Sequence, residues 1–142
     1  MKEASFRNLV GRFIIVSNIV LFLLIMVFYV LKGFSGNELE DILKALLPVQ
    51  TVYMAAIIKY MVANKTVENK PEESKVLTKG YALTVRLIVN THIILLLLII
   101  SLKAVGGIIS NEMMTNLILI IETFFGAYIG TIITSLFPAN KS

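Results

Sequence analysis

Residues 93–100 read IILLLLII, an unbroken run of isoleucine and leucine. The apolar stretch extends on both sides of this run, from about residue 81 to 102. At a rise of about 1.5 Å per residue, a helix of this length crosses the hydrocarbon core of a bilayer. The same holds for residues 13–31, which carry no charge, and for about 113–137, which Pro138 closes. Apolar length alone therefore predicts three membrane-spanning helices.

A fourth crossing is predicted at about residues 42–63, where the apolar run is less complete. The charge-free part, residues 45–58, is short enough for a buried or re-entrant segment instead. Lys44 and Lys59 flank this part and can extend their ammonium groups towards opposite surfaces, which restores a spanning length. Pro48 is placed near the start of the span, where its missing N–H costs least. We predict a full crossing.

The composition agrees with a membrane protein. The chain has 142 residues, of which 57% are hydrophobic and 15% charged, whereas soluble domains have about 45–50% apolar and about 25% charged residues. The prediction is an all-α integral membrane protein, a bundle of four transmembrane helices forming one membrane domain, residues 1–142. Residues 13–31 exceed the core of a signal peptide and are interpreted as a retained span. No internal repeat is obvious along the chain.

The basic residues predict an orientation. If the N-terminus, the connector at residues 64–80 and the C-terminus share one side, that side and its span ends collect ten of the 13 Lys and Arg residues. The opposite side has Lys32, Lys44 and Lys103. Such a bias is typical of cytoplasmic loops, so we predict a multi-pass protein of the cell membrane with both termini in the cytoplasm. It also explains the net charge of +4 without a nucleic-acid partner.

The last span has small or polar residues in pairs that recur every four positions, with bulky pairs between them. Because a helix turns once in about 3.6 residues, these pairs form one slowly winding stripe. The stripe either faces a pore or binding cavity or packs closely against another helix, with Gly126 and Gly130 as a small-xxx-small motif. Its residues are Glu122, Thr123, Gly126, Ala127, Gly130, Thr131, Thr134 and Ser135.

A carboxyl group within a membrane span is costly and suggests a function. Glu122 lies about two turns from the outer end of the last span, and His92 differs from it in depth by about one turn. We predict an intramembrane polar pair of Glu122 and His92 that relays protons or controls a gate. The alternatives are a cation-attracting ring of Glu122 from several copies, and a neutral Glu122 with a structural role. The inner halves of the spans are assigned Asn18, Lys59, Arg86 and Asn90.

Enzymatic chemistry is not expected from this sequence. The chain has no cysteine and one histidine, so no His/Cys metal site is predicted within it. Neither a glycine-rich phosphate loop nor a serine nucleophile elbow occurs. We therefore predict no catalytic residues, no metal and no cofactor.

Three functions remain open at this point. The first is a homo-oligomeric pore, channel or permeability-altering effector, because four spans alone do not easily enclose an aqueous path. The second is a small carrier or a flippase for lipid-linked substrates, with Glu122 and His92 as coupling groups. The third is an anchor or assembly subunit for a cytoplasmic protein that docks on residues 64–80, as in a phage-defence system. In architecture the chain resembles small four-span effectors of phage-defence systems and short four-span flippase-like families.

Overall fold

A computed structural model describes residues 3–63 and 77–137 of the chain. Every described segment longer than a short connection is α-helical, and all four helices are long and apolar enough to cross a membrane. This confirms the predicted all-α architecture with four membrane-length helices. Most of the predicted connector at residues 64–80 lies outside the described residues. The helices are α1 (Glu3–Val30), α2 (Gly36–Ala63), α3 (Lys79–Gly106) and α4 (Asn111–Leu136).

All four helices begin before the predicted spans. Helix α1 begins at Glu3 rather than at residue 13, and α2 begins at Gly36 rather than at residue 42. An apolar run marks the part suited to hydrocarbon, whereas a helix continues until a cap or a turn ends it. At the start of α2 the Ser35 N–H donates to Glu38 Oε2 over 2.8 Å, and the Glu38 N–H donates to Ser35 Oγ over 3.4 Å. This reciprocal capping box sets the start of the helix.

The predicted place of Pro48 near the start of its span is wrong. Because α2 begins at Gly36, Pro48 lies in the helix interior, close to its middle. A proline there cannot donate to the carbonyl oxygen four residues earlier, that of Lys44. The helix is nevertheless continuous to Ala63, so the weakest of the four predicted spans has the full length needed for a crossing.

Short connections make two helical hairpins. Residues 31–35 join α1 to α2, and residues 107–110 join α3 to α4. Each hairpin therefore consists of two antiparallel helices. Both first helices end at a residue in the left-handed conformation, Lys32 (φ 62°) and Gly107 (φ 55°). Both second helices follow a serine N-cap, Ser35 and Ser110.

The two hairpins pack side by side and point the same way. Helix α4 has extensive interfaces with α2 and α3, and α1 has smaller interfaces with the same two helices. The order around the bundle is therefore α1, α2, α4, α3. Helices α2 and α4 run parallel, since Asn111 donates to Asp41 over 2.8 Å at one end and the rings of Tyr60 and Phe137 lie 5.1 Å apart at the other.

The first helices of the two hairpins are also similar in sequence. Residues 12–25 read RFIIVSNIVLFLLI, and residues 86–99 read RLIVNTHIILLLLI, with half of the aligned positions identical. This alignment places Asn18 opposite His92. Apolar runs rich in isoleucine and leucine conceal such a correspondence, and the parallel packing of the hairpins makes it visible.

Candidate functional site

Four polar side chains are buried inside the described part of the bundle, one from each helix. Asn18, Gln50, His92 and Glu122 have exposed fractions of 7%, 7%, 2% and 3%. Each residue lies near the middle of its helix. We call these four residues the central polar cluster. All four residues therefore lie at about the same height in the bundle. In a bundle that spans a membrane this is the level furthest from water, and the cluster has two titratable groups there, His92 and Glu122.

Glu122 is the centre of this cluster. The side-chain amide of Gln50 donates to Glu122 Oε1 over 2.7 Å. His92 Nε2 lies 3.3 Å from the same oxygen. Among the described residues, neither His92 Nε2 nor Glu122 Oε2 has a hydrogen-bond partner. The structure thus brings together the predicted pair of Glu122 and His92 and leaves one oxygen of the acid available for a proton.

The surroundings of the cluster are apolar. The His92 ring packs against Phe125, with ring centroids 5.6 Å apart. Two groups of buried apolar side chains lie towards opposite ends of the bundle, one including Ile57 and Ile133, the other including Ile25 and Ile118. A net charge enclosed between such layers is strongly disfavoured unless a partner compensates it. Glu122 and His92 together are net neutral when they hold one proton between them.

The structure divides the predicted stripe of α4 between two faces. Glu122, Gly126 and Gly130 turn towards α2, where the Tyr53 hydroxyl donates to the Gly126 carbonyl oxygen. A Cβ atom on Gly126 would lie 3.2 Å from Tyr53 Oη. Gly126 therefore gives room to a tyrosine of the same chain, whereas a Cβ atom on Gly130 would make ordinary contact with Tyr53 Oη at 3.8 Å. This half of the stripe packs within the bundle.

The other half of the stripe lies on the outer surface of the bundle. Its side chains are exposed, and the described hydroxyl bonds are made within α4 itself. Thr131 Oγ1 donates to the Ala127 carbonyl oxygen over 2.9 Å, and Thr134 Oγ1 donates to that of Gly130 over 3.0 Å. These bonds satisfy the hydroxyls without a neighbouring helix. The outer face consists of Thr123, Ala127, Thr131, Thr134 and Ser135.

The polar residues assigned to the inner half do not form one group. Asn18 belongs to the central polar cluster, whereas Lys59 is exposed near the end of α2. Arg86 and Asn90 line a cavity of about 170 Å³ between α1 and α3. The Arg86 guanidinium lies 5.9 Å from the centre of the Phe6 ring. Of this set, Arg86 and Asn90 line the same cavity.

The sequence interpretation assigned no site role to Gln50, the direct partner of Glu122. A signal for this role exists in the sequence. Gln50-Thr51 in α2 and Glu122-Thr123 in α4 are similar pairs, and both are followed by an alanine four residues after the threonine. That similarity becomes informative once α2 and α4 are known to lie parallel and adjacent.

A cleft between α1 and α2 reaches the central polar cluster. Its volume is about 240 Å³, and Asn18 and Gln50 are among the residues that line it. Several of its apolar side chains, including Phe22 and Leu47, are also exposed on the outer surface. The cleft therefore extends from that surface to two residues of the cluster, Asn18 and Gln50. Within the described residues no group of three or more His, Cys, Asp or Glu side chains is arranged to hold a metal ion.

Comparison with known proteins assigns no family. No family model matches the sequence, and no curated protein or solved structure is significantly similar to the chain.

Proposed function

We propose that this chain is a small membrane carrier in which the central polar cluster exchanges a proton as a lipophilic solute is moved. The observation that carries the proposal is the placement of Glu122, which is 3% exposed, bonded to Gln50 and within 3.3 Å of His92. An acid at the centre of a membrane-spanning bundle is expensive to retain for packing alone. A role in which the acid gains and loses a proton accounts for that cost.

Charge balance supports a proton as the coupled ion. With one proton shared between Glu122 and His92 the pair is neutral, and removal or addition of a proton leaves a buried net charge. A change of protonation therefore changes the free energy of the buried state strongly. The unbonded Glu122 Oε2 is the position where an exchangeable proton can be placed.

Gln50 provides a link between proton and solute. Its amide bonds to Glu122 and the same side chain lines the cleft between α1 and α2. A solute in the cleft competes for Gln50 and thereby changes the environment of the acid. Such coupling is reciprocal, since a solute that alters proton affinity must have its own affinity altered by the proton.

The proposal includes an orientation with both termini in the cytoplasm. Ten of the 13 basic residues then lie at cytoplasmic ends or connectors, as the positive-inside rule requires. A reporter enzyme that functions only outside the cytoplasm, fused to the C-terminus, should be inactive. An active C-terminal reporter would reverse this part of the proposal.

The decisive experiment compares Glu122→Gln with Glu112→Gln, which removes an exposed acid from the same helix. Infrared difference spectra of the purified protein across pH report protonation of a buried carboxyl through its C=O band. We expect this band in the wild type and in Glu112→Gln, and its loss in Glu122→Gln.

In liposomes, accumulation of fluorescent lipophilic solutes driven by a pH gradient should fall to the level of empty liposomes only in Glu122→Gln. A Glu122→Gln protein with unchanged pH-driven accumulation would contradict the proposal.

A second candidate function is the homo-oligomeric pore, which the outer face of α4 favours. Its small residues Ala127 and Thr131 are exposed and allow close approach of a second copy. In this case Ala127→Leu with Thr131→Leu should reduce both the oligomer in detergent and ion leakage from liposomes. Thr84→Leu is the matched control, because Thr84 is also exposed and bonds to its own helix at Gly80. If the flux of the transported solute saturates as its concentration rises, the carrier would be favoured over the pore.

A further inference from the structure

Three buried oxygen atoms on one face of α4 have no hydrogen-bond partner among the described residues. They are Asn111 Oδ1, Thr115 Oγ1 and Glu122 Oε2. Their residues are four and seven positions apart, so they share one side of the helix and follow each other along its axis. Buried polar groups in folded proteins are almost always bonded, and water is the usual partner where the protein supplies none. This face of α4 therefore offers a file of water-binding positions that ends at the acid.

The file begins at a polar end of the bundle. We call it the connection end, because α1 is joined to α2 there, and α3 to α4. The Asn111 amide donates to Asp41 over 2.8 Å, which places the first residue of the file beside a carboxylate. At the same end Lys103 Nζ lies 2.7 Å from Glu38 Oε1, and these two side chains are 17% and 21% exposed. Water that reaches this partly exposed polar end therefore meets the start of the file.

In the opposite direction the same face of α4 is apolar. Beyond Glu122 it has glycines and buried apolar side chains such as Ile133 and Leu136, which belong to one apolar group. The Tyr53 hydroxyl also lies on that side, but it donates to a backbone carbonyl oxygen of α4. Along the axis Leu136 is about 21 Å from Glu122, whereas Thr115 is about 10 Å away. The connection end is therefore the shorter and more polar route to the acid.

One apolar side chain interrupts the file. Ile118 is fully buried and lies on the same face, one turn from Thr115 and one turn from Glu122. About three waters, spaced by about 2.8 Å, bridge the axial distance of about 10 Å between Thr115 and Glu122. Such a chain of waters forms only when the Ile118 side chain moves aside, so the size of this side chain sets the rate of exchange.

We propose that Glu122 exchanges its proton with the connection end of the bundle, through water held at Thr115 and Asn111. The proton leaves Glu122 Oε2, and the pair with His92 has one more negative charge until a proton returns. The Thr115 hydroxyl accepts a proton on one side as it releases its own on the other, so its proton count is unchanged. Asp41 receives or supplies the proton at the entrance. This inference rests on the proposed function, and with both termini in the cytoplasm it connects the cluster to the outside.

The test measures proton exchange at Glu122 in the full-length protein in phosphatidylcholine nanodiscs. After transfer from H2O to D2O, the C=O band of a protonated carboxyl shifts as its proton is replaced, and infrared spectroscopy follows the rate of this shift. Thr115→Val should slow the exchange roughly tenfold, the factor that corresponds to the loss of one hydrogen bond. Thr115→Ser retains the hydroxyl and should exchange like the wild type. Thr131→Val is the matched control, since Thr131 is exposed and bonds to its own helix.

Two further pairs of variants test the direction of the route. Ile118→Ala removes bulk on the connection side of Glu122 and should accelerate the exchange several-fold, whereas Ile133→Ala removes the same bulk on the other side and should not. Both isoleucines are buried, so a general loosening of the fold would accelerate both variants alike. Asp41→Asn should slow the exchange, whereas Glu112→Gln, which removes an exposed acid at the same end, should leave the rate unchanged.

The outcomes separate the route from the proposed function. A wild-type rate in Thr115→Val, or equal acceleration in Ile118→Ala and Ile133→Ala, overturns the inference. If the Glu122 band still titrates in that case, the route is wrong and the proton-exchanging cluster stands. A wild-type protein without a titrating carboxyl band would reject the proposed function and the route together.

Discussion

At the scale of single residues, the end of α1 contains a conformation that suits its residue poorly. Lys32 has a φ of 62°, whereas the corresponding position after α3 is Gly107, with a φ of 55°. The left-handed conformation costs an L-residue with a Cβ about 1–2 kcal/mol, and glycine adopts it without this cost. The first hairpin therefore stores a small strain that the second avoids.

Lys32→Gly should raise the free energy of unfolding by about 1 kcal/mol, because glycine removes the unfavourable Cβ contact. Thermal unfolding in detergent measures the change. Lys32→Ala is the control, since it removes the same charge and retains a Cβ. If the two variants have the same stability, backbone conformation is not the cause of the effect.

Tyr53 is a second position where one group can be tested alone. Its hydroxyl donates to the Gly126 carbonyl oxygen, and its ring is 8% exposed between α2 and α4. Tyr53→Phe should lower the free energy of unfolding by about 0.5–1.5 kcal/mol, the usual contribution of one hydrogen bond. Tyr128→Phe changes a tyrosine of α4 that is 50% exposed and should have no measurable effect. Equal losses in both variants would mean that the bond to Gly126 contributes nothing.

At the scale of helices, the sequence predicts that each helix exists better than it predicts where each helix begins and ends. The apolar runs identify all four helices, because a spanning segment needs a minimum length of uncharged residues. The apolar runs miss the starts of the helices. The start of α2 depends on the Ser35 cap, and α1 begins with a polar turn at Glu3, before its apolar run. They also misplace Pro48 relative to its helix for the same reason.

The candidate site was predictable where a short connection fixes the depth of two residues. Residues 107–110 join α3 to α4, so His92 and Glu122 must lie at similar heights on adjacent helices. Gln50 is different, because its contact with Glu122 requires α2 to lie beside α4. No local pattern in one sequence states which helices are neighbours across the bundle. Likewise, whether Gly126 faces α2 or a second copy depends on that order.

At the scale of the whole molecule, the order α1, α2, α4, α3 can be tested by crosslinking. The chain has no cysteine, so pairs can be introduced without background. Asp41→Cys with Asn111→Cys should react efficiently with a short bifunctional thiol reagent, because these side chains lie 2.8 Å apart at their polar atoms. Asp41→Cys with Glu112→Cys is the control, since Glu112 is exposed on α4 next to Asn111. Absence of reaction in the Asp41 and Asn111 pair would reject the parallel arrangement of α2 and α4.

The parallel hairpins have a consequence for how the chain can be divided. Each hairpin starts and finishes at the same end of the bundle, and both use the same end. A break between residues 70 and 71 would thus produce two hairpins. These hairpins can associate side by side in the same relative orientation that they have in the intact chain. Each would bring half of the central polar cluster, Asn18 and Gln50 from one and His92 and Glu122 from the other. The acid and the amide that bonds to it would then be supplied in trans, so the candidate site would form only when the two fragments reassociate.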